Sequence, residues 1–160
     1  MFKFAIVGCG RISKRHSELL AENQIKGACL TAVCDKVLTK AEVISNKYGV
    51  PAYSCYHEMM QSEKIDVVVI LTESGLHAAH TIDLAKYGAH IVVEKPMALT
   101  LEDADAMIEA CDKNNIKLFV IKQNRFNLPV VQLRTALELG RFGKLIMGTV
   151  RVRWCRPQAY

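Results

Sequence analysis

The sequence has no apolar run long enough to cross a bilayer and no metal-binding pattern. Its apolar stretches fall well short of the ~20 residues that a membrane-spanning helix needs. The six cysteines are scattered, with none in a C-x-x-C pair or at ligand spacing with histidines. We therefore expect a cytoplasmic protein with no membrane association and no metal site. Its cysteines are expected to be reduced and buried.

Internal repeats, low-complexity tracts and clusters of basic residues are also missing. The 160 residues carry a formal net charge of +5, but the lysines and arginines are dispersed along the chain. Dispersed positive charge favours small anionic ligands and argues against nucleic acid as a partner. The hydrophobic content of 51% in a chain of this length is typical of a globular domain with a real core.

Strand-like and helix-like segments alternate along most of the chain. Short apolar or β-branched runs predict six strands, at residues 4–7, 28–34, 52–53, 66–71, 90–93 and 117–121. Apolar residues at helical spacing lie between them; Ile12, Leu19 and Leu20 form one such stripe. Ser54 is expected to cap one short helix, and Thr100 with Asp103 resembles a capping box. The alternation predicts an α/β fold, a doubly wound parallel sheet, over residues 1–122.

A different pattern begins at residue 123. One more helix is expected around residues 130–137, and the segment 145–154 then alternates between two faces. Such alternation is typical of a half-exposed antiparallel strand. We expect residues 123–160 to begin a second domain that the sequence does not complete. The chain is then a cofactor-binding fragment of a longer enzyme, inactive by itself.

A glycine-rich turn follows the first predicted strand. Gly8 can adopt backbone angles closed to other residues, and Gly10 lets the main chain approach a ligand closely. The amides of Arg11 and Ile12 then open a helix, whose dipole favours a pyrophosphate. The third position of the dinucleotide fingerprint holds Ser13 instead of Gly or Ala, and serine is small enough to keep helix and strand close.

An acidic residue ends the second predicted strand. The carboxylate of Asp35 can accept hydrogen bonds from the hydroxyls of an adenosine ribose, and it repels a 2′-phosphate. The pattern therefore predicts NAD as the cofactor in preference to NADP. Lys36, beside it, leaves room for use of both cofactors, and a solvated aspartate in a turn is the structural alternative.

Three more polar groups follow strands at the same edge of the predicted sheet, at residues 72–77, 94–96 and 123–125. Ligands of open α/β sheets bind at this edge. Lys95 is the candidate catalytic residue, because its amine could orient a substrate hydroxyl or accept its proton as hydride leaves the carbon. The alternative is a surface lysine beside a glutamate.

These motifs resemble the glucose-fructose oxidoreductase / inositol dehydrogenase / MocA family. The resemblance rests on GCGRIS at residues 8–13, Asp35, Thr72 with His77, and EKP at residues 94–96. It implies an NAD-dependent dehydrogenase with Lys95 in the active site and a cis bond before Pro96. It also implies cofactor-binding roles for Thr72, His77 and Glu94. For His77, a helix-capping role is the alternative.

Two downstream segments resemble the sugar-nucleotide branch of that family. They are KQNRFN at residues 122–127 and VRVRWCRPQAY at residues 150–160. This likeness implies oxidation of the C3 hydroxyl of a UDP-N-acetylglucosaminuronic acid in bacterial lipopolysaccharide or surface-polysaccharide biosynthesis. It places Trp154 and Arg156 near the nicotinamide end of the cofactor and Gln123 near the cofactor or the sugar. A structural alternative for Trp154, which is compatible with the first, is an apolar anchor between two domains. The resemblance also implies a homo-oligomer for the full-length protein.

The sequence is compatible with two other functions. Another member of the same family could oxidise a free sugar or inositol. A non-catalytic nucleotide-binding module is the alternative from a different class.

Overall fold

The computed structural model describes residues 1–155, 157 and 158. Two compact units divide the chain, residues 1–122 and residues 123–160. The first unit contains six strands, which are β1 (Phe2–Val7), β2 (Ala28–Cys34), β3 (Ala52–Tyr53), β4 (Val67–Ile70), β5 (His90–Val93) and β6 (Leu118–Val120). All neighbouring pairs are parallel, in the order β3-β2-β1-β4-β5-β6. The predicted doubly wound α/β fold is therefore confirmed.

Helices connect these strands. They are α1 (Ser13–Ala21), α2 (Leu38–Tyr48), α3 (Tyr56–Ser62), α4 (His77–Ala85) and α5 (Leu101–Lys113). The strand order reverses direction between β1 and β4, which lie side by side at the centre of the sheet. A crevice forms at the carboxyl ends of such a central pair, because the connections leave them in opposite directions.

Both faces of the sheet are buried, and the side chains of β4 show how. All four of its residues are buried. Val68 and Ile70 belong to a cluster on the side of α3, α4 and α5. Val69 belongs to a second cluster, on the side of α1 and α2. The continuous β-branched run of β4 is thus explained by two covered faces.

Two helix starts and one helix face test the sequence predictions in detail. Thr100 Oγ1 accepts a hydrogen bond from the Asp103 amide at 3.1 Å, so the predicted cap is confirmed. The prediction that Ser54 caps a helix is wrong, because α3 begins at Tyr56 and Cys55 occupies its N-cap position. The predicted apolar stripe on α1 is partly wrong. Ser13, Ser17 and Leu20 are the buried residues of this helix, whereas Ile12 is 44% exposed. Small serines lie on this face because α1 runs close to the sheet.

The second unit contains a 3₁₀ turn (Gln123–Phe126) and α6 (Leu128–Glu138). The strand predicted at residues 145–154 is wrong, since this segment is irregular and exposed. An isolated strand leaves its backbone amides and carbonyls unpaired, and the segment pairs with no strand in the described part of the chain.

All six cysteines are free, as expected. Cys9, Cys34 and Cys111 are buried and Cys155 is exposed, so the prediction of general burial holds for half of the cysteines. Among the helices that the structure describes, none combines the length and the apolar composition required to cross a membrane.

Candidate functional site

The turn after β1 has room for glycine alone at its first position. Gly8 has φ +98°, in the region that side chains disfavour. A Cβ atom on Gly8 would lie 2.7 Å from the carbonyl carbon of Leu71 and 2.8 Å from the amide nitrogen of Thr72. The Gly8 amide also donates to the Cys34 carbonyl at 2.8 Å. The turn therefore lies directly against the ends of β2 and β4.

The rest of the turn leaves an open approach to the start of α1. A Cβ atom on Gly10 would meet nothing within 4 Å, so the main chain is accessible there. Ser13 is 2% exposed, and its hydroxyl donates to the Gly10 carbonyl at 2.6 Å. Ile12, at the N-cap position, makes no side-chain capping hydrogen bond, and the first turn of α1 contains no acidic residue. The exposed Arg11 lies at the same end, which is thus arranged to accept an anionic group.

Asp35 joins the end of β2 to this turn. Its Oδ2 accepts from the Cys9 amide at 2.8 Å, and its Oδ1 accepts from the Val37 amide at 2.9 Å. Each carboxylate oxygen can accept a second hydrogen bond. Because the side chain is only half-buried, those remaining positions can receive ligand hydroxyls.

A cavity of about 440 Å³ opens at the carboxyl ends of β1, β2, β3 and β4. Four of the predicted residues line it together, namely Gly8, Gly10, Asp35 and Thr72. Cavities of this size and partly apolar lining are typical of sites for small molecules and cofactors. The glycine cradle, the open helix N-terminus and the carboxylate together fit a dinucleotide.

Three aromatic rings that line this cavity were not among the predicted site residues; they belong to Tyr56, His57 and His80. Tyr56 Oη donates to Asp83 Oδ2 at 2.7 Å, and His57 Nε2 lies 3.0 Å from the same oxygen. Burial, together with this hydrogen bond, raises the pKa of Tyr56 to about 12, so the phenol keeps its proton. Tyr56 and His57 closely follow β3, and the rule that ligands bind beyond strand ends could have indicated them.

His80 lies on α4 and reaches back to the end of β4. Burial lowers the pKa of its imidazole, so the ring is neutral at physiological pH. Its Nδ1 lies 3.0 Å from Thr72 Oγ1. The ring therefore connects α4 to the loop that follows β4.

Lys95 extends from the carboxyl end of β5, next to β4 in the sheet, with an exposed side chain. The bond between Lys95 and Pro96 is cis, as the family resemblance implies. Glu94, before it, is 8% exposed. Its Oε2 accepts from the Lys95 amide at 3.0 Å, and its Oε1 lies 3.3 Å from His16 Nε2. The carboxylate is thus engaged by two groups of the protein.

His77 is buried between two loops, with 1% of its surface exposed. Its Nδ1 lies 2.7 Å from the Pro96 carbonyl oxygen, and its Nε2 lies 3.1 Å from the Thr72 carbonyl oxygen. The ring therefore joins the loop after β4 to the loop after β5, and it neither caps α4 nor lines the cavity.

The remaining predicted residues lie in the second unit or outside the described residues. Gln123 lies in the 3₁₀ turn and is exposed. Trp154 is 69% exposed in the irregular segment. Arg156 lies outside the described residues. Among the residues that the structure describes, none form a group of three or more His, Cys, Asp or Glu able to hold a metal ion.

A family model agrees with this geometry. The model of GFO_IDH_MocA, the oxidoreductase family with an NAD-binding Rossmann fold, matches residues 2–122. The chain belongs to this oxidoreductase family. The matched residues are those of the first unit and include the glycine turn, Asp35 and the EKP segment. Residues 2–122 of this Gfo/Idh/MocA member therefore form an NAD-binding domain.

Individual relatives differ in the compounds that their names associate with them. The WlbA dehydrogenase of Bordetella pertussis, solved with NADH and UDP-GlcNAcA, is 40% identical with a TM-score of 0.93, covering 99% of this chain and 48% of its own. The WlbA dehydrogenase of Chromobacterium violaceum, solved with the same ligands, is 37% identical with a TM-score of 0.93, covering 99% of this chain and 46% of its own. The inositol 2-dehydrogenase of Salmonella typhimurium is 32% identical, covering 91% of this chain and 44% of its own. The chain thus spans less than half the length of these relatives.

Proposed function

We propose that the full-length protein is an NAD-dependent dehydrogenase that oxidises the C3 hydroxyl of a UDP-N-acetylglucosaminuronic acid-type sugar nucleotide. The observation that carries this proposal is the likeness to the two WlbA structures. It extends over 99% of the chain with a TM-score of 0.93, and it includes residues beyond the NAD-binding domain. In bacteria such a reaction would serve lipopolysaccharide or surface-polysaccharide biosynthesis.

The glycine turn and Asp35 would hold the cofactor. The amides at the start of α1, with Arg11 and Ile12, would bind the pyrophosphate, because the N-terminus of a helix favours an anion. Asp35 would accept hydrogen bonds from the adenosine ribose. When bound, NAD⁺ supplies the acceptor for the hydride that leaves the sugar carbon.

Lys95 would carry the proton chemistry. Its Nζ is the group at the end of β5 that can accept the proton of the reacting hydroxyl, or orient that hydroxyl by a hydrogen bond. His77 holds the carbonyl of Pro96 from the side of β4, so the backbone around Lys95 is fixed. A fixed backbone favours catalysis, because the amine then needs little reorientation to reach the substrate.

The remaining assignments concern the second unit and the whole protein. We infer that residues 123–160 open the substrate and oligomerisation domain, and that the full-length protein is a homo-oligomer. Gln123, Trp154 and Arg156 are proposed to approach the cofactor or the sugar there. Thr72 and Glu94 are proposed to contribute to the cofactor site of the first domain.

A second candidate is oxidation of inositol or another free sugar. It is supported by relatives such as the inositol 2-dehydrogenase of Salmonella typhimurium, 32% identical over 148 residues. Among solved structures, the myo-inositol 2-dehydrogenase of Lactobacillus plantarum is 28% identical with a TM-score of 0.83 over 91% of the chain, against 40% and 0.93 over 99% for the WlbA dehydrogenase of Bordetella pertussis. The free-sugar function is therefore the weaker of the two.

A substrate comparison on the full-length protein decides between them. NADH formation is measured by absorbance with UDP-N-acetylglucosaminuronic acid, UDP-N-acetylglucosamine, myo-inositol and glucose in parallel. The proposal predicts turnover with the first compound and little with the second, which lacks the carboxylate. Turnover with inositol or glucose alone would overturn the sugar-nucleotide assignment and leave the dehydrogenase assignment in place.

A further inference from the structure

Glu94, the residue before Lys95, has a carboxylate with little access to water. The Glu94 side chain is 11% exposed, and that of His16 is 18% exposed. Removing a carboxylate from water is unfavourable unless hydrogen bonds or an opposite charge compensate. Here Oε2 accepts from the Lys95 amide at 3.0 Å, and Oε1 lies 3.3 Å from His16 Nε2.

His16 comes from a distant part of the sequence. It lies on α1, whose first turn contributes to the proposed pyrophosphate site, and it is 78 residues from Glu94. Its Nε2 can donate to Oε1 when that nitrogen carries the proton, in the neutral ring or in the imidazolium. The contact therefore connects the start of the dinucleotide site to the end of β5.

We propose that His16 is a positioning residue for Lys95 and acts through Glu94. By donating to Oε1, His16 fixes the rotamer of the Glu94 side chain. The other oxygen then holds the Lys95 amide, which sets the direction in which the lysine side chain leaves the strand. The inference rests on the proposed function, because it assumes that Lys95 is the group that handles the substrate proton.

The pair also links two parts of the site that must act together. The first turn of α1 would bind the pyrophosphate, whereas Lys95 would face the reacting hydroxyl. Because His16 is on the same helix as that first turn, the lysine is held in register with the helix that carries the cofactor. A displacement of about 1 Å at a reacting group is enough to reduce turnover strongly.

Variants at position 16 test the inference in the full-length protein. His16→Leu removes the donor, and His16→Gln keeps an amide nitrogen at similar reach. We expect kcat to fall about tenfold or more in His16→Leu, with the NAD Kd and the sugar-nucleotide KM within about twofold of the parent, and about half of kcat to return in His16→Gln. His90→Gln, at the amino end of β5, is the control for loss of a histidine and should keep full kcat.

A readout independent of turnover uses the Lys95 amide. In protein labelled with ¹⁵N-lysine and free of cofactor, hydrogen exchange at this amide should accelerate about tenfold in His16→Leu. The rate should stay near that of the parent in His16→Gln and His90→Gln. Unchanged exchange in His16→Leu would overturn the inference, since the carboxylate would then hold the amide without help.

The outcomes separate this inference from the proposed function. If Lys95→Met keeps its turnover, the catalytic assignment of Lys95 fails, and the inference fails with it. If Lys95→Met loses turnover while His16→Leu keeps normal kcat, the positioning role alone is overturned. Equal losses of kcat and NAD affinity in both His16→Leu and His16→Gln would indicate a purely structural role and would also overturn it. Should His16→Leu not fold, His16→Asn, whose shorter amide cannot reach Oε1, takes its place.

Discussion

The amide of Cys9 donates to Oδ2 of Asp35 at 2.8 Å, so a hydrogen bond connects the glycine turn after β1 to the acidic residue after β2. The other carboxylate oxygen accepts from the Val37 amide at 2.9 Å. Both contacts fix the carboxylate before any ligand arrives. A carboxylate held in this way needs no reordering to accept ribose hydroxyls, which favours NAD binding.

The first prediction concerns cofactor preference. Asp35→Asn removes the negative charge, and hydrogen bonds to a charged group are worth about 1.5–3 kcal/mol. We expect the NAD Kd to rise about tenfold or more and the NADP Kd to fall, because Lys36 and Lys40 line the same cavity. Fluorescence titration with each cofactor measures both constants.

The control for this variant is Asp105→Asn, which removes an exposed carboxylate on α5. It should leave both dissociation constants unchanged. An Asp35→Asn protein with the parent's ratio of NAD to NADP affinity would show that the carboxylate does not set the preference. Thermal unfolding of the variant confirms that it is folded during the titration.

The second prediction contrasts the two glycines of the turn. Gly8→Ala would place a Cβ within 2.8 Å of the backbone at Leu71 and Thr72 at a positive φ, so it should reduce the free energy of unfolding by about 2–4 kcal/mol. Gly10→Ala meets open space, so its stability should stay near that of the parent while the NAD Kd rises about tenfold. Denaturant unfolding and NAD titration measure the two effects separately.

The contrast is informative in either direction. If Gly10→Ala bound NAD as the parent does, the main chain at Gly10 would not lie close to the cofactor. If Gly8→Ala kept full stability, the close approach between the turn and β4 would be wrong. Each result concerns a different contact, so one does not decide the other.

Much of the fold could be predicted from the sequence because buried parallel strands have a strong pattern. β2 and β5 begin and end at the predicted residues, and β4 lies within the predicted run of residues 66–71. Burial on both faces of the sheet favours continuous β-branched runs, and such runs are recognisable in the sequence. Gly8 and Asp35 were also predictable, since the fingerprint places them at fixed positions relative to the strands.

The features that could not be predicted depend on contacts between residues far apart in the sequence, or on a neighbouring strand that the described residues do not provide. His16 and Glu94 meet across 78 residues, and no periodic pattern signals such a contact. The segment 145–154 has the alternation of a strand, but alternation describes the side chains and does not supply a neighbour for the backbone. The contacts of the His77 ring nitrogens with two carbonyl groups, one of them 19 residues away, are likewise not signalled by the sequence.

The third prediction concerns the cysteines around the cavity. Burial raises the pKa of Cys9 and of Cys34 to about 12. About one thiol in ten thousand would then be ionised at pH 8, because each pH unit below the pKa reduces the thiolate tenfold. Mass spectrometry after brief treatment with iodoacetamide should find Cys155, which is exposed, modified well before either buried cysteine. Rapid labelling of Cys9 in folded protein would contradict the buried turn.

The raised pKa of these two thiols also makes the free energy of unfolding depend on pH. An unfolded cysteine ionises near pH 8.5, whereas these two thiols stay protonated up to about pH 12 in the folded state. Between those values the folded protein binds more protons than the unfolded chain, so its free energy of unfolding falls as the pH rises. Cys9→Ala and Cys34→Ala together should weaken that fall, which urea unfolding at several alkaline pH values measures.

The fourth prediction concerns Lys95 in the full-length protein. Lys95→Met keeps the length and apolar stem of the side chain but removes the amine, so NAD affinity should stay within about twofold while kcat falls about 100-fold or more. Lys113→Met, which removes an exposed amine on α5, is the matched control and should retain kcat.

The pH dependence of the same pair sharpens the assignment. A residue that accepts the substrate proton contributes to the pH dependence of kcat/KM, so the pH profile of Lys95→Met should differ in shape from that of the parent. Lys113→Met should keep the profile of the parent. If Lys95→Met also keeps that profile, another group accepts the proton, and Lys95 is left with the orientation of the hydroxyl.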